Sequence, residues 1–402
     1  MPGSTRSFES LLARPQVALL MELLNGGGAE TRIVGGAIRN ILLGLPATDI
    51  DFATSLKPDE VMARAAKTGI KTVPTGIMHG TITLVVAKVP FEVTTLRRDV
   101  ETDGRHAVVA FAGSFEEDAI RRDFTINQLS VSQDGVVHDY AGGLADLAIR
   151  KVRFIGEARR RITEDYLRIM RFFRFHAAYG AGALDADGLD ACVALKGGMA
   201  RLSSERIWLE LKKLLIAGGA AEVMPVFVHS GIWNEAAGDV VAHVPAFHAA
   251  LAAFPRGDAV ARLAALGVRT AEHVRALDLK LKLASTERRR LEDVAALLAT
   301  WPGPDGMDER LVRLASLREG AQAVRDALGV LACVLGRERA QALGMLPVPV
   351  MPFKGQDVLA LGVPPGPGVG VIIQRATERW ADLGFPDDHV SQAQCLTSAM
   401  PG

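Results

Sequence analysis

The sequence predicts an α+β protein in which a head with a small mixed sheet is followed by helices alone. Between residues 31 and 150, short β-rich runs alternate with helical patterns, and glycine or proline bounds most of them. After residue 150 the strand signals fade, and apolar residues recur at helical spacing almost to the end. The chain has 402 residues, 49% of them hydrophobic, which is enough for several domains with cores of their own.

Glycine and proline residues mark where the expected elements of the first region begin and end. Gly44 and Pro46 stop the first helix, Pro58 opens the second and Gly69 ends it. The expected elements are, in order, a strand over 31–34, a helix over 37–43, a strand over 49–53, a helix over 58–69, and a hairpin of strands 81–87 and 91–96. The polar segment 97–106 is expected to be a loop.

Composition divides the chain into four predicted domains: a head over 1–150, a helical neck over 151–215, a helical body over 216–300 and a helical tail over 301–402. A Trp-Pro-Gly-Pro run at 301–304 marks the last boundary. The start of the neck, residues 150–174, carries nine Arg and Lys against three Asp and Glu. This local basic excess is concealed by a formal net charge of zero for the whole chain.

Composition also excludes several classes of protein. The three cysteines, Cys192, Cys333 and Cys395, are too few and too far apart for a disulfide framework or a cysteine-rich zinc site. No run approaches the roughly 20 apolar residues of a membrane span. The first residues show neither a signal-peptide nor a presequence pattern, so a cytoplasmic protein is expected.

The first candidate motif is Gly35-Gly36 with Arg39, between the first strand and its helix. Glycines there allow the backbone to approach an anion, and the helix N-terminus presents unpaired N–H groups to it. Arg39 adds a charged fork that suits a phosphate. By itself the pattern is more typical of a tight strand-to-helix turn than of a phosphate site.

Three acidic residues lie on predicted strands. Asp49 and Asp51 alternate with apolar residues, so both carboxylates face one side of a strand, about 7 Å apart. Hard oxygen ligands of this kind suit Mg²⁺. Glu92 lies inside an apolar strand, where a lone carboxylate usually faces solvent. Beside the two aspartates it completes a carboxylate set for phosphoryl transfer with two metal ions.

A third motif combines Arg121 and Arg122 with Asp123 and Asn127. On a helix, Asp123 and Asn127 lie four residues apart on one face. The group is then suited to hold a triphosphate and a ribose hydroxyl. A solvated helix start whose charges pair with each other is the alternative.

The fourth motif is a stripe on a predicted helix. Asp165, Arg168, Arg171 and Arg174 advance in steps of three, and the residues between them are mainly apolar or aromatic. Arginines on so apolar a helix need a partner or a ligand, because buried charge is costly. One alternative is that they pair with Glu164 and Asp165 alone. The pattern favours the other, in which Asp and Arg contact the edge of a nucleotide base.

The motifs GGAIRN, DIDFAT, FEVTTLRRD, RRDFTIN, DYAGG and EDYLRIMRFFRF, in this order, resemble those of class II tRNA nucleotidyltransferases and bacterial poly(A) polymerases. The resemblance implies a polymerase-beta-like nucleotidyltransferase head. It is closest over residues 30–215, where RLSSERIWLELKKLL is its last strong element. Residues 353–385 resemble, more weakly, the tail with which CCA-adding enzymes grip tRNA.

The resemblance implies a role for each position. Asp49 and Asp51 match the metal-binding pair and Glu92 a third catalytic carboxylate. Asp165 and Arg168 match the pair that recognises the incoming base in Watson–Crick fashion. The full set of implied nucleotide-binding residues is Gly35, Gly36, Arg39, Arg122, Asp123, Asn127, Glu164, Asp165, Arg168, Arg171 and Arg174. The implied reaction is template-independent addition of CCA to the 3′ end of tRNA from CTP and ATP, with Mg²⁺ as cofactor and pyrophosphate as product.

Alternatives and one departure accompany this hypothesis. The family usually has Asp where this chain has Asn40, which keeps an acceptor and loses the charge, so a metal-binding role there is disfavoured. A poly(A) polymerase is the main alternative, but those enzymes generally end in a basic extension and this chain ends in a neutral segment. Partial enzymes that add only CC or only A are further alternatives, although residues 97–111 match a loop associated with the switch from C to A. A non-catalytic RNA-binding protein is disfavoured by the intact carboxylates.

Overall fold

The computed structural model describes residues 4–47, 49–77, 80–102, 107–111 and 113–400. The chain forms two compact units, Met1–Arg206 and Ile207–Gly402. The predicted boundaries near residues 150, 215 and 300 stay predictions. Within the described ranges, no helix is both long enough and apolar enough to cross a membrane.

The first unit contains the strands and begins with two helices that the sequence did not predict. Its strands are β1 (Thr31–Val34), β2 (Asp51–Thr54), β3 (Lys71–Gly76), β4 (Thr81–Val86), β5 (Val89–Thr95), β6 (Arg97–Thr102), β7 (Ala107–Phe111), β8 (Ser130–Val131) and β9 (Val137–His138). Its helices are α1 (Ser4–Leu12), α2 (Pro15–Leu24), α3 (Gly36–Leu42), α4 (Pro58–Lys67), α5 (Phe115–Ile120), α6 (Gly143–Ala148), α7 (Ala158–Glu164), α8 (Leu167–Tyr179) and α9 (Ala186–Leu195). Helix α10 (Ser204–Leu215) crosses from the first unit into the second.

The remaining helices belong to the second unit. They are α11 (Ala220–His229), α12 (Ile232–Ala237), α13 (Val244–Ala253), α14 (Ala259–Gly267), α15 (Ala271–Leu281), α16 (Ser285–Thr300), α17 (Glu309–Glu319), α18 (Ala321–Leu335), α19 (Arg337–Gly344), α20 (Gly355–Ala360), α21 (Pro367–Asp382) and α22 (His389–Ser398). Helix α18 packs against α13, α14 and α16, and Trp380 of α21 is buried between Phe353 and Phe385. The predicted α+β fold, with a mixed sheet followed by helices, is confirmed.

A seven-stranded mixed sheet positions the candidate site, in the order β3-β4-β5-β2-β1-β8-β9. Only β2 and β5 are parallel neighbours, and the other pairs are antiparallel. Val34, the last residue of β1, lies opposite Asp51, the first residue of β2. Phe52 lies opposite Val93 of β5, so Glu92 lies beside Asp51. The sheet register therefore brings the Gly35-Gly36 turn and two of the predicted carboxylates close together on neighbouring strands.

Two expectations for this region were wrong in part. Asp49 was predicted to be within a strand, but β2 begins at Asp51. Segment 97–106 was predicted to be a loop, whereas Arg97–Thr102 pairs with Ala107–Phe111 in a separate two-stranded sheet. Residues 103–106 lie outside the described residues. Residues 97–102 are mostly polar in sequence, so they lack the apolar alternation from which a strand is predicted.

An aromatic cluster fixes α8 against the turns that follow α5. The Phe124 ring lies 4.9 Å from that of Phe154 and 5.2 Å from that of Phe175. The rings of Phe154 and Phe172 stack at 5.4 Å. These buried contacts hold the arginines of α8 close to the loop that carries Asp123.

Candidate active site

Asp49, Asp51 and Glu92 line one cavity of about 610 Å³ beside the internal strands β2 and β5. We call these three residues the carboxylate edge. Asp51 is partly buried, whereas Asp49 and Glu92 are exposed. Ile50 and Phe52, on either side of Asp51, are buried in the core. The predicted alternation of polar and apolar side chains is therefore present, although Asp49 precedes the strand.

The acids of the carboxylate edge differ from most buried or half-buried acids of this unit in their lack of ion pairs with described residues. The carboxylates of Asp51 and Glu92 form no ion pair or hydrogen bond with any of the described residues. Burial and the nearby charges of Glu92 and Asp49 raise the pKa of Asp51 to about 6, and Arg122 opposes this rise. Repulsion among the acids is the condition that a bound cation relieves.

Whether these residues fit a metal ion depends on how many ligands the protein must supply. No group of three or more His, Cys, Asp or Glu side chains within the described ranges is arranged to hold a metal ion. Mg²⁺, however, is usually held by one or two carboxylates together with substrate phosphates and water. Asp49 and Asp51 fit that smaller requirement. They do not form a complete metal site before the substrate binds.

The Gly35-Gly36 turn provides close access for an arginine. Gly35 has φ +75°, a conformation that favours glycine, and a Cβ placed there would lie 3.4 Å from Nη1 of Arg122. Arg122 donates from Nη1 to the Asn127 carbonyl at 3.3 Å and from Nη2 to Asp118 at 3.0 Å. Arg122 also lines a smaller cavity of about 230 Å³ together with Asp51. The turn thus gives a cation room beside the carboxylate edge.

Arg39 is buried and already engaged. Its Nη1 donates to Oδ1 of Asn127 at 2.5 Å, and its Nη2 donates to the Tyr179 hydroxyl at 2.8 Å. The guanidinium lies 3.8 Å from the centre of the Tyr179 ring. A direct contact with a triphosphate would require these bonds to be exchanged, which the sequence did not reveal.

Asn40 supports Arg39 through the hydrogen bond that its acceptor allows. Its Oδ1 accepts from Arg39 Nη2 at 3.0 Å and from Nε at 3.3 Å. Its Nδ2 donates to the Pro46 carbonyl at 3.1 Å. An aspartate would keep the first contacts, but it could not donate to Pro46.

Asp123 and Asn127 do not lie on one helix as predicted. Helix α5 ends at Ile120, and a 3₁₀ turn over Thr125–Asn127 follows Asp123. Asp123 is buried and accepts from Asn127 Nδ2 at 3.0 Å and from Arg171 Nε at 2.7 Å. Burial alone would raise the pKa of Asp123, but Arg171 and the hydrogen bond from Asn127 hold it below its usual range. The prediction was wrong because buried side-chain contacts, not helical spacing, bring the two residues together.

The predicted stripe on one helix is also interrupted. Helix α7 ends at Glu164, Asp165 has an extended backbone, and α8 begins at Leu167. Asp165 accepts from the Leu167 amide at 3.0 Å and from Arg206 Nη2 at 2.8 Å. Its position between the helices lets this carboxylate cap α8, a role that helical spacing does not indicate.

The arginines of α8 have several partners. Arg168 donates to Glu164 at 2.6 Å, and Arg171 pairs with Asp123. The Arg174 guanidinium lies 4.0 Å from the centre of the Phe175 ring. Pairing with Glu164 and Asp165 alone was therefore wrong, because Asp123 on another segment takes part. We call the paired charges of this region the arginine cluster: Asp118, Asp123, Glu164, Asp165, Arg121, Arg122, Arg168, Arg171 and Arg206.

Sequence reasoning missed three residues of this region. Asp118 pairs with Arg121 at 2.7 Å and with Arg122, and its spacing of three and four residues could have revealed it. Arg206, the partner of Asp165, lies within the family motif RLSSERIWLELKKLL, but the sequence indicated no role for it. Tyr179, which contacts Arg39 across 140 positions of sequence, left no local signal.

Comparison with known proteins identifies the family. Residues 31–153 match the family model described as the poly A polymerase head domain. The CCA tRNA nucleotidyltransferase 1, mitochondrial, of Danio rerio is 35% identical over 391 residues, which cover 94% of this chain and 90% of that protein. This chain belongs to the CCA tRNA nucleotidyltransferase family. The predicted family and enzyme class are confirmed.

Two further relatives support the assignment. A CCA-adding enzyme of Geobacillus thermodenitrificans (strain NG80-2) is 40% identical over 215 residues, 53% of this chain and 52% of that protein. The crystal structure of the Bacillus stearothermophilus CCA-adding enzyme in complex with CTP superposes with a TM-score of 0.71 and 27% identity, covering 98% of this chain and 97% of that one. Nucleotidyltransferases of this family generally use divalent metal ions.

Proposed function

We propose that this nucleotidyltransferase adds C, C and A in turn to the 3′ end of tRNA, from CTP and ATP, with release of pyrophosphate. The observation that carries the proposal is the carboxylate edge beside Arg122, in a chain similar over 94% of its length to a CCA tRNA nucleotidyltransferase. Unpaired acids next to a cation suit phosphoryl transfer, in which positioning and charge stabilisation supply most of the rate.

Asp49 and Asp51 would hold Mg²⁺, and Glu92 would be the third carboxylate. When bound, the metal ion neutralises charge on the triphosphate and makes the terminal 3′-hydroxyl of the RNA a better nucleophile. Arg122, beside the Gly35-Gly36 turn, would bind the triphosphate and its leaving pyrophosphate. Arg39 is also proposed as a triphosphate contact, and it would position Asn127, to which its Nη1 donates.

Base selection would rest on Asp165 and Arg168. Cytosine and adenine both present an amino donor beside a ring nitrogen acceptor on their Watson–Crick edges, so they suit a carboxylate acceptor paired with a guanidinium donor. Uracil and guanine reverse that pattern. Arg206 orients Asp165, and Glu164 orients Arg168. Arg171 and Arg174 are proposed as further nucleotide contacts, and Asp123 with Asn127 as the group that meets the sugar.

The direct test is an end-extension assay with Mg²⁺ on a tRNA lacking CCA, a tRNA ending in CC and a short oligo(A). Each RNA receives CTP, ATP or both. Two C additions, then one A and arrest, are the expected result. Long A tracts on oligo(A) would instead identify a poly(A) polymerase, and arrest after CC or after a single A would identify a partial enzyme.

Three assignments stay predictions. The neck is expected to recognise the base, and the tail to bind tRNA mainly through its backbone and shape. A cytoplasmic location is also expected, although the Danio rerio relative is named as mitochondrial. A steep fall of RNA affinity with rising salt would support phosphate contacts.

A further inference from the structure

A cavity of about 470 Å³ lies within the second unit, and none of its lining residues belongs to the proposed reaction. Its wall is formed by the end of α13, the connection to α14, and parts of α14, α18 and α19. This volume lies in the range of small-molecule sites. Most of the lining is apolar, including Phe254, Ala250 and Met345, so the cavity offers a surface on which a flat organic group can pack.

The two carboxylates that line this cavity, Asp258 and Asp326, share one arginine as their partner. Arg290 donates from Nη1 to Asp258 at 2.6 Å and from Nε to Asp326 at 2.5 Å. Arg290 itself is not among the lining residues. One guanidinium bridges both acids from behind the wall and offsets one of their two negative charges, which lowers the repulsion of an anionic ligand.

Three arginines, in contrast, line the cavity without a carboxylate partner within hydrogen-bonding distance among the residues that the structure describes. Arg256 is exposed, and Arg325 is partly buried and donates to the neutral amide of Gln322 at 2.9 Å. Arg262 is only 9% exposed. The cavity therefore has a net positive lining that favours an anionic group.

Arg262 has a donor to spare. Its Nη1 donates to the Leu215 carbonyl at 2.7 Å and its Nη2 to the Pro255 carbonyl at 3.1 Å. Its buried Nε has no hydrogen-bond partner among the described residues. A buried N–H without an acceptor is unfavourable, and an anion in the cavity would stabilise this guanidinium through its charge.

We propose that this cavity binds a nucleotide, with the base on its apolar wall and the phosphate on its arginines. Aromatic rings and guanidinium planes stack on bases, and Phe254 supplies such a ring. Gln341 donates from Nε2 to the Ala253 carbonyl at 2.9 Å, which leaves its amide oxygen to accept from a base amino group. The three lining arginines outweigh the negative charge that the two bridged carboxylates keep, so this wall attracts the phosphate.

Substitution of Gly329 on α18 can fill the cavity with a larger side chain. A Cβ at this position would lie 3.7 Å from Ala250 Cβ and Phe254 Cδ2, which is ordinary contact. Gly329→Ala is therefore accommodated, whereas Gly329→Leu extends further into the space. Both variants replace a helical glycine, so the pair separates filling of the cavity from the effect on the backbone.

The experiment is calorimetric titration of the full chain with adenosine 5′-monophosphate in the absence of metal. Compared with Gly329→Ala, Gly329→Leu should bind one fewer nucleotide per chain, or bind it at least about tenfold more weakly. Arg325→Gln should weaken the same binding several-fold, whereas Arg275→Gln, a change of equal charge outside the cavity, should not. Adenosine alone and inorganic phosphate alone should each bind more weakly than the nucleotide.

Equal nucleotide binding by Gly329→Leu and Gly329→Ala, together with equal binding by Arg325→Gln and Arg275→Gln, would overturn the proposal. Failure of the end-extension assay in every protein would instead contradict the proposed function and leave this comparison intact. Adding a tRNA that lacks CCA distinguishes the source of the nucleotide. Displacement of the bound nucleotide would assign the cavity to a nucleotide of RNA, and simultaneous binding would assign it to a free nucleotide.

Discussion

The carboxylate edge and the arginine cluster lie in the same unit, but the pKa values of their buried or partly buried acids are shifted in opposite directions. At the edge, Asp51 has acidic neighbours and a raised pKa. In the cluster, Asp123 is more deeply buried and yet has a lowered pKa, because Arg171 and Asn127 contact it. The pKa of Asp118 is lowered for the same reason. Burial alone would raise it, but the charges of Arg122 and Arg121 lower it further than burial raises it.

This difference indicates which kind of ligand each region can bind. Acids without cations are costly in the free protein, and they gain when a cation arrives with the substrate. Acids already paired with arginines act instead as fixed supports that hold planar donors and acceptors in place. The edge is thus incomplete before it binds its substrate, and the cluster is preorganised.

Neutralising the edge should give the largest effect on the reaction. Asp51→Asn and Asp49→Asn should each lower nucleotide incorporation by at least roughly 1000-fold, because charge stabilisation at the phosphate is lost. Single-turnover extension of a tRNA lacking CCA measures this. Glu116→Gln, which removes an acid on α5 outside this edge, is the control. Near-normal rates in both aspartate variants would contradict the proposed metal site.

Neutralising the cluster should instead cost stability. Asp123→Asn leaves Arg171 without its ion pair and should destabilise the protein by about 2–4 kcal/mol. Urea unfolding followed by circular dichroism measures the change. Asp134→Asn, at a fully exposed turn, serves as the matched substitution and should change little. Equal stability of the two variants would show that the cluster is not a structural support.

Base selection should respond to the residue between the two helices. Asp165→Ala should reduce the preference for CTP over UTP by about 10- to 100-fold, because one bidentate contact discriminates by about 1–3 kcal/mol. Competition assays with both nucleotides measure this ratio. Arg206→Gln should reduce the preference less, because it only orients the carboxylate. An unchanged ratio in Asp165→Ala would remove this residue from base recognition.

The pH dependence of stability should have opposite signs in the two regions. The folded pKa of Asp51 lies above its unfolded value, so its contribution is present below about pH 4 and is lost as pH rises through 6. Asp51→Asn should therefore be more stable than the parent at pH 8, by about 1–2 kcal/mol after solvent screening, and not at pH 4.

The folded pKa of Asp123 is lowered, so its contribution to the free energy of unfolding is present above its unfolded pKa and is lost as pH falls through the folded pKa. Unfolding curves at several pH values test both signs.

Much of the fold and the site could be predicted from local patterns. The first strand was placed at its observed bounds, and the hairpin of β4 and β5 was predicted from two β-rich runs with a short connection. The family motifs gave every candidate site residue a role, and those roles stay predictions. Asp49 was placed in a strand that begins only at Asp51, and part of segment 97–106 is a strand and not a loop. The failures at Asp123, Asn127 and Asp165 arose because helical spacing was applied to segments that are not continuous helices.

The sequence by itself determined the α+β class, several strands and helices of the head, the glycine turn, the candidate acids and the family, because these depend on neighbouring residues and on a recognisable series of motifs. Only the tertiary structure decided which charges meet. Arg39 contacts Tyr179, Asp123 contacts Arg171, and Asp165 contacts Arg206, each pair at least 41 positions apart. Side-chain ion pairs form across space, and packing of the aromatic cluster brings α8 to Asp123. No period along the chain encodes that approach, so the division between unpaired edge and paired cluster became visible only in three dimensions.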